Sequence, residues 1–587
     1  MRASVEFSKQ TRRYILLFLL FLVLIAATRL PVTSGQLYSF DEVNMVYAMD
    51  KLDIRQSQPQ PPGYPLFILE MRALRLLRVV RPESNLIILA VLGSAAAMTG
   101  LVWCGDLMFG GWSGLYGALL LWLYPGFWFA GITSALRVQL ALISVVVGGA
   151  CWRAWRGDRR WPLYSAVALG LGAGIRPEIG PLLFPLWLVG WIRSGATRKE
   201  RAVAVGALVV CIFCWLIPLA WASGGLVVFF RDCLAYLTVQ SATTSSLFGL
   251  EQTRWLTNTI LFLVWTFSML VFAPMLWILA LGAEDRIGGL RWTFLAVWLG
   301  PSVSFAALVH VGDPGHTLAM VAPLCLWLGH QVHRAVSISG KWRSFTWNWA
   351  MLIVVFALAM APPEDANGWR LRVIGLALLA AFAARVRSGQ DTLTIGPVSA
   401  AGLILLPIGI FFTHSFLAGD WRYATRPEIT ATRLLSDVKY AFYLSSYQQV
   451  RRIVDPDDVA IQATRKLADD AKGRTVILSE SSLTSWRKVS HYLPFVKVVV
   501  LEQVRGQVVA TEWLRSEQKR RVTGSAPLTV AVPAGARLVW MVRARSDFEA
   551  ALRQSLPVTD AGPVSWVDLP ATAGSQRIGD LELVWTR

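Results

Sequence analysis

Two adjacent acidic residues, Asp41 and Glu42, follow the first long apolar run of the chain closely. A stretch with helical character comes next, and then the stiff segment QPQPPGYP at residues 58–65, which cannot continue a helix. A carboxylate held near a membrane surface can accept the proton of a hydroxyl group as a general base. The alternatives are that Asp41 is a solvated acid or a helix N-cap, and that Glu42 binds an acceptor or a metal ion or points to water. We expect Asp50 and Asp53 to be surface acids.

Several arginines could bind a phosphate group. Arg176 stands in GAGIRPEIGPLLFP between two apolar runs, where a charge is costly and commonly functional. Its planar guanidinium either binds a phosphate or snorkels to the interface and pairs with Glu178. Arg137, beside another apolar run, is a weaker candidate for the same task. Arg72 is one of four arginines at a spacing of three within residues 66–81, a pattern that predicts an amphipathic helix in the membrane interface, near lipid phosphates.

Metal-ligating residue types are sparse. The turn at residues 310–316 holds two histidines and an acid, which are His310, Asp313 and His316. With Asp41 they could hold a divalent cation, but so small a set favours a hydrogen bond from His316 to a substrate instead. The CxxC at residues 211–214 lies inside an apolar run, which favours packing over metal or redox chemistry.

Hydropathy predicts the elements that position these residues. Of the 587 residues, 55% are hydrophobic and 16% are charged, against about 25% charged in a typical soluble domain. The deficit is confined to residues 1–419, where about 13 apolar runs are long enough to span a membrane. The expected spans are 14–31, 85–105, 112–130, 132–152, 161–175, 178–192, 202–222, 256–281, 292–310, 317–332, 345–361, 370–384 and 393–414.

The distribution of Lys and Arg predicts the orientation of these spans. With the N-terminus in the cytosol, the basic loops all fall on the cytosolic side; they lie at residues 153–160, 193–201, 334–343 and 385–387. The loop 32–84, the turn at Arg176, the loop 223–255 and the C-terminal region then lie outside. The net charge of +19 is explained by these loops and by anionic membrane lipids. No nucleic-acid motif accompanies the charge, so a nucleic-acid partner is not expected.

Residues 420–587 have the composition of a soluble domain. Short β-rich runs at 475–480, 496–502, 528–533, 537–544 and 581–585 alternate with helical stretches such as 431–453 and 456–471. This alternation predicts a small α/β domain. We expect it to be accessory, without the main catalytic acid, and able to cap the site.

The acidic pair, the PPGYP segment and the helix layout together resemble the GT-C membrane glycosyltransferases, the superfamily of protein O-mannosyltransferases and lipid A aminoarabinose transferases. The resemblance implies transfer of a sugar from a polyprenyl-phosphate-linked donor to a hydroxyl of a lipid, glycan or protein, with inversion, at the periplasmic face of a bacterial inner membrane. Some such enzymes use a divalent cation and others none, so we commit to no metal ligand. The predicted site residues are Asp41 and Glu42 for catalysis, Arg176, Arg137 and Arg72 for the donor phosphate, and Tyr64, His316 and Glu178 for substrate.

Two rival functions remain at this level. A transporter or flippase of lipid-linked sugars would share a multi-helix bundle and interfacial arginines, but it would be expected to show inverted repeats and broken helices in matching halves. We find no such pairing in the sequence, and the acidic residues gather at one face. A non-catalytic membrane scaffold, whose soluble domain binds a partner, is the other rival.

Overall fold

The molecule is an α-helical membrane protein with a small α/β region at its C-terminal end. The structure is a computed structural model. The structure describes residues 2–33, 35–79, 81–247, 254–263, 266, 289–309, 314–338, 447–471, 474–480, 486–504, 507–513, 520–522, 528–540, 547–562, 564–579 and 581–586.

Fourteen helices are described in the first part of the chain. They are α1 (Arg2–Arg29), α2 (Phe40–Asp50), α3 (Pro65–Leu76), α4 (Pro82–Met108), α5 (Ser113–Leu123), α6 (Pro125–Thr133), α7 (Ala135–Trp155), α8 (Trp161–Ile175), α9 (Ile179–Arg193), α10 (Arg198–Ala222), α11 (Leu226–Thr244), α12 (Arg254–Leu263), α13 (Gly289–Leu308) and α14 (Leu318–Ile338). Short 3-10 turns lie at Leu30–Val32, Ile54–Gln56 and Pro314–Thr317.

Four helices among the described residues are long and apolar enough to cross a membrane. They are Lys9–Val32, Pro82–Met108, Ala135–Trp155 and Arg198–Ala222. The pair Ser113–Leu123 and Gly126–Thr133 passes the same test as one span bent by 63°. The predicted spans 161–175 and 178–192 correspond to the shorter apolar helices α8 and α9. Because the predicted spans 345–361, 370–384 and 393–414 lie outside the described residues, the count of about 13 stays a prediction.

Glycine allows the central helices to pack closely. A Cβ atom on Gly105 of α4 would lie 2.2 Å from the Cα atom of Gly114 in α5. A Cβ atom on Gly329 of α14 would lie 2.2 Å from the backbone nitrogen of Gly117, also in α5. Membrane helices gain little from apolar burial against lipid, so close backbone approach at small residues is a main source of their association.

The bundle has two distinct ends. The Nη1 atom of Arg13 lies 2.9 Å from Oδ2 of Asp106, so α1 begins where α4 ends. The indole of Trp152 donates to the carbonyl of Leu107 at 3.1 Å, which places the end of α7 there as well. Since α8 starts next to that point and runs away from it, the turn at Arg176 lies at the opposite end. The loop between α1 and α4 and the 3-10 turn Pro314–Thr317 are also at the end that holds Arg176.

The C-terminal region is a mixed α/β structure, as the sequence predicts. Its helices are α15 (Tyr447–Asp470), α16 (Trp486–Tyr492) and α17 (Asp547–Ser555). Its strands are β1 (Thr475–Glu480), β2 (Lys497–Val504), β3 (Gln507–Trp513), β4 (Arg520–Val522), β5 (Leu528–Pro533), β6 (Arg537–Trp540), β7 (Thr559–Ala561), β8 (Val564–Asp568), β9 (Gly574–Ile578) and β10 (Leu581–Thr586).

Two sheets are described in this region. The larger has the strand order β4-β3-β2-β1-β6-β8-β7, with β1 parallel to both β2 and β6 at its centre. The smaller has the order β5-β10-β9, with β5 and β10 parallel. The central strands are rich in Val, Leu and Ile because parallel strands are buried on both faces. The side chains of Ile477, Leu478, Val498 and Val499 are fully buried.

One prediction about local structure is wrong, and another is confirmed in part. Residues 223–255 were expected to be an external loop, but residues 226–244 form the helix α11. The stretches 431–453 and 456–471 were expected to be helical, and residues 447–470 form the helix α15, which continues through Pro456, whereas residues 431–446 lie outside the described residues. The amphipathic second half of α15 buries Ala460, Ile461 and Ala468, and this packing favours a continuous helix over a break.

Candidate active site

A cavity of about 440 Å³ lies at the end of the bundle that holds Arg176. It is formed by the first turn of α2, the PPGYP segment, the start of α7, the turn between α8 and α9, α11, the end of α13 and the 3-10 turn before α14. Segments far apart in sequence thus converge on one space. Of the predicted site residues, it brings together Asp41, Tyr64, Arg137, Arg176, Glu178 and His316.

Asp41 lies in the first turn of α2, where negative charge is favoured by the helix dipole. Its side chain is 44% exposed, and its Oδ2 atom lies 3.9 Å from Nη2 of Arg137. Ser39 occupies the N-cap position without a side-chain capping bond. The carboxylate of Asp41 therefore lines the cavity beside a cation, a position in which it can meet a ligand.

Arg137 connects Asp41 with His316. The Nη1 atom of Arg137 lies 2.9 Å from Nδ1 of His316, and because a guanidinium only donates, the imidazole nitrogen accepts. Gly315 makes this approach possible, since a Cβ atom there would lie 2.4 Å from Cδ of Arg137. The side chain of Arg137 is 16% exposed. The acid, the arginine and the histidine form one row along the cavity wall.

Arg176 lies in the turn between α8 and α9, and only 4% of it is exposed. Its Nε and Nη2 atoms each lie 2.5 Å from Oε1 of Glu178, so the pairing that the sequence suggested is present. Its Nη1 atom has no hydrogen-bond partner within the described protein. A buried guanidinium donor without a partner is costly, and an anionic oxygen in the cavity would satisfy it.

Glu42 lies on another side of α2. It is 2% exposed and lines a narrow cleft with Tyr38 and Glu83 instead of the main cavity. Its Oε2 atom accepts a hydrogen bond from the backbone N–H of Tyr38 at 2.5 Å. Burial raises the pKa of Glu42 to about 8, although the charges of Lys488 and Arg137 act in the opposite direction. Glu42 is therefore mostly a neutral acid at pH 7.

Arg72 lies outside the cavity lining and supports α2 instead. Its Nε atom donates to the carbonyl of Met49 at 2.9 Å, and its Nη2 atom donates to that of Ala48 at 3.0 Å. Carbonyls at the end of a helix lack partners within the helix, and a cation there also complements the helix dipole. Arg72 thereby links α3 to the end of the helix that carries Asp41.

The two other acids of this loop behave differently from each other. Asp50 is exposed, as expected, and its Oδ1 atom lies 2.6 Å from Nη1 of Arg75. Asp53 was expected at the surface, but it is buried, with 1% exposed. Its carboxylate accepts hydrogen bonds from the backbone and side chain of Arg55, because it caps the 3-10 turn Ile54–Gln56.

Sequence reasoning missed the contribution of α11. Tyr236, Gln240 and Ser241 of this helix line the cavity, as does Gln60 of the segment QPQPPGYP. The spacing of four between Tyr236 and Gln240 places them on one helix face, and this periodicity was the available signal. Because residues 223–255 were predicted to be a loop, this periodicity was not recognised.

Metal binding was an open alternative for the turn before α14. His310 and Asp313 lie outside the described residues. Across the part of the chain that the structure describes, no group of three or more His, Cys, Asp or Glu side chains converges as a metal site. His316, which is described, contacts Arg137 as given above.

Comparison with known proteins relates the chain to solved structures. No protein-family model matches the chain, and no curated protein matches its sequence. The structure is similar to ArnT from Cupriavidus metallidurans bound to undecaprenyl phosphate, with a TM-score of 0.51 and 13% identity over 95% of this chain and 98% of that one. It is equally similar to the apo state of the same protein, with a TM-score of 0.50 and 14% identity at the same coverage.

A more distant match is the apo oligosaccharyltransferase of Archaeoglobus fulgidus, with a TM-score of 0.38 and 12% identity over 65% of this chain and 56% of that one. The likeness to the ArnT structures extends over 95% of this chain, which therefore has an ArnT-like fold. The fold class predicted from the sequence, an α-helical membrane protein with a C-terminal α/β domain, is thereby confirmed.

Proposed function

We propose that this chain is a membrane glycosyltransferase that moves a sugar from a polyprenyl-phosphate-linked donor to an acceptor hydroxyl. The observation that carries the proposal is the convergence of Asp41, Arg137 and Arg176 on one cavity of about 440 Å³. A base and two cations are the groups that such a transfer needs, because a proton leaves the acceptor while negative charge develops on the phosphate.

Asp41 is the proposed general base. It accepts the proton of the acceptor hydroxyl as the hydroxyl oxygen forms its bond to the anomeric carbon. The bond between that carbon and the phosphate oxygen breaks at the same time, and the phosphate leaves with the electron pair. Direct attack opposite the leaving group inverts the anomeric centre. The 44% exposure of Asp41 and its place on the cavity wall support this role.

Arg176 and Arg137 are proposed to stabilise the departing phosphate. Arg176 is held by Glu178 and keeps Nη1 for a further acceptor. Arg137 lies between Asp41 and His316, where it can orient the base and contribute charge. A similar chain, ArnT, was solved with undecaprenyl phosphate, which supports a lipid of this class as the donor's carrier.

The cavity's position suits a lipid-borne donor and a water-borne acceptor. It lies at the end of the bundle opposite the one that holds Arg13 and the end of α7. We therefore propose a cytosolic N-terminus, a membrane domain of residues 1–419 and a periplasmic domain of residues 420–587, in a bacterial inner membrane. Tyr64 and His316 are the proposed substrate contacts in the cavity.

The test is transfer of a labelled sugar from a polyprenyl-phosphate donor by the purified protein in detergent. We expect the wild type to transfer label to an acceptor and the variant Asp41→Asn to bind the donor without transferring it. The matched control is Asp50→Asn, an exposed acid at the other end of the same helix. No transfer from any lipid-linked donor would favour the transporter or scaffold, and equal transfer by both variants would remove Asp41 as the base.

A further inference from the structure

The C-terminal α/β region contacts the membrane domain at the loop that carries Asp41. Part of this contact is made by α16, a short helix between β1 and β2, which packs against α2. Arg487 of α16 is 1% exposed. Its Nη2 atom donates to the carbonyl of Gln56 at 2.7 Å, and its Nη1 atom donates to that of Ser57 at 3.4 Å. These carbonyls directly precede the segment QPQPPGYP.

The same guanidinium also contacts α2 itself. Its central carbon lies 5.4 Å from the ring centroid of Phe40 and 5.5 Å from that of Tyr47. Phe40 is the residue before Asp41, and Tyr47 lies two turns further along the same helix face. One side chain thus joins the beginning of α2, its middle and the turn that leads to the rest of the cavity lining.

Tyr492, at the end of α16, fixes the entry to α2. Its hydroxyl accepts a hydrogen bond from the backbone N–H of Leu37 at 2.9 Å and donates to Oε1 of Glu83 at 2.8 Å. The ring of His491 lies beside that of Tyr47, with centroids 5.9 Å apart. Together with Arg487, these contacts hold α2 along its length from the side opposite the cavity.

We propose that Arg487 is a positioning residue for the transfer reaction, which holds α2 in the orientation that places Asp41 beside Arg137. The expected effect on turnover rests on the proposed function, but the contact between Arg487 and α2 does not depend on that function. Arginine suits the task because its planar fork can bond two neighbouring carbonyls while its face stacks on rings. Burial lowers the pKa of Arg487 to about 10, so it stays charged at neutral pH.

The first measurement does not need enzymatic activity. Hydrogen–deuterium exchange of peptides covering residues 40–57 is compared between the wild type, Arg487→Met and Arg577→Met. Arg577 is an exposed arginine of β9 that bonds only the carbonyl of Gly579 among its described side-chain contacts, which makes it the matched control. We expect exchange in α2 to be at least about tenfold faster in Arg487→Met, as loss of a charged hydrogen bond implies, and unchanged in the control.

The second measurement separates positioning from general instability. We expect Arg487→Met to lower kcat roughly 10- to 100-fold, with the KM for the donor lipid unchanged, because Arg176 and Arg137 still bind the phosphate. Arg487→Lys should recover part of kcat, since the charge remains and one carbonyl stays within reach. Tyr492→Phe should change the exchange rate and kcat in the same direction, but by less. Because this variant retains the aromatic ring, it can be measured if Arg487→Met does not fold.

Unchanged exchange in both Arg487→Met and Tyr492→Phe would overturn the proposal. So would faster exchange with an unchanged kcat, or a raised KM as the main kinetic effect. A wild type that transfers no sugar would overturn the proposed function, while the exchange experiment would still decide whether α16 holds α2.

Discussion

The two sides of α2 show how one short helix can give adjacent residues opposite chemistry. Successive residues of a helix point about 100° apart. Asp41 consequently faces an open cavity with Arg137, whereas Glu42 is buried in a narrow cleft on the side of the C-terminal region. Solvent and a nearby cation favour a carboxylate in the first position, and burial favours a neutral acid in the second. Both residues are acids, and Asp41 is the proposed base because its side chain is exposed to the cavity while that of Glu42 is buried.

The largest effect that would test this comparison is expected from Asp41→Asn. General-base catalysis contributes typically about 10²–10⁴-fold, so turnover should fall by that factor, or about 3–5 kcal/mol in the barrier. Asp41→Glu should restore little, because a carboxylate moved by one methylene no longer lies where it can accept the proton of the attacking hydroxyl. The measurement is turnover at saturating donor, with Asp50→Asn near the wild type. Turnover of Asp41→Asn near that of the wild type would remove Asp41 as the base.

A somewhat smaller effect is expected from Arg176. Its charge is needed most when the phosphate leaves, so Arg176→Ala should lower kcat roughly 10²–10³-fold, the usual cost of one stabilising donor. Arg176→Lys should keep part of the activity because a point charge remains after the fork is lost. Arg75→Ala, at an exposed ion pair, is the control. If both Arg176 variants turn over normally, the arginine only anchors the turn through Glu178.

The wall contributed by α11 should affect recognition more than chemistry. Gln240 lines the cavity without taking part in the proposed proton or phosphate steps. Replacing it with Leu should raise the KM for donor or acceptor about two- to tenfold, the range of a neutral hydrogen bond, with kcat little changed. Thr238→Val, at an exposed position of the same helix, is the control. A large loss of kcat in Gln240→Leu would move α11 into the chemical step.

The smallest effect concerns Glu42 and appears in stability. The folded pKa of Glu42 is about 8, against an ordinary value of 4.5, so the folded state holds a proton that the unfolded state releases. Its contribution to stability is therefore present at low pH and is lost as the pH rises through about 8. The thermal midpoint in detergent should fall between pH 6 and pH 9 in the wild type and fall less in Glu42→Gln. Parallel curves would show that Glu42 is not buried as a neutral acid.

The turnover of Glu42→Gln is a second test of whether Glu42 is a neutral acid. Glu42→Gln should leave kcat at pH 6–7 close to the wild-type value, because the residue is already neutral there. If Glu42→Gln loses transfer and Asp41→Asn keeps it, the base is Glu42 and the roles of the two sides of α2 are exchanged.

The sequence predicted most of what local pattern controls. The helices around Arg176, the strands β1 and β5 and the α/β character of the C-terminal region follow from apolar periodicity and turn residues. It did not predict α11, whose polar cavity-facing residues interrupt the apolar run, or short strands such as β7 and β9, which have few apolar residues to mark them. Local pattern is weakest where a segment is stabilised by distant partners.

The candidate site also has features that the sequence could predict and features that it could not. Residue type and position were enough to bring Asp41 and Arg176 forward as candidates. They could not distinguish Asp41 from Glu42, because that depends on the phase of α2 and on what covers its other side. Nor could they reveal that Arg72 supports the end of α2, since its partners are backbone carbonyls without a sequence signal.

The distance along the chain between α2 and α16 has a consequence for biogenesis. Arg487 and the carbonyl that it bonds at Gln56 are 431 positions apart. At about 5–20 residues per second of synthesis, α2 waits roughly 20–90 s before α16 exists. During that time Glu42 and Tyr47 are not yet packed against α16. A nascent chain would therefore hold an incomplete site until α16 has been synthesised.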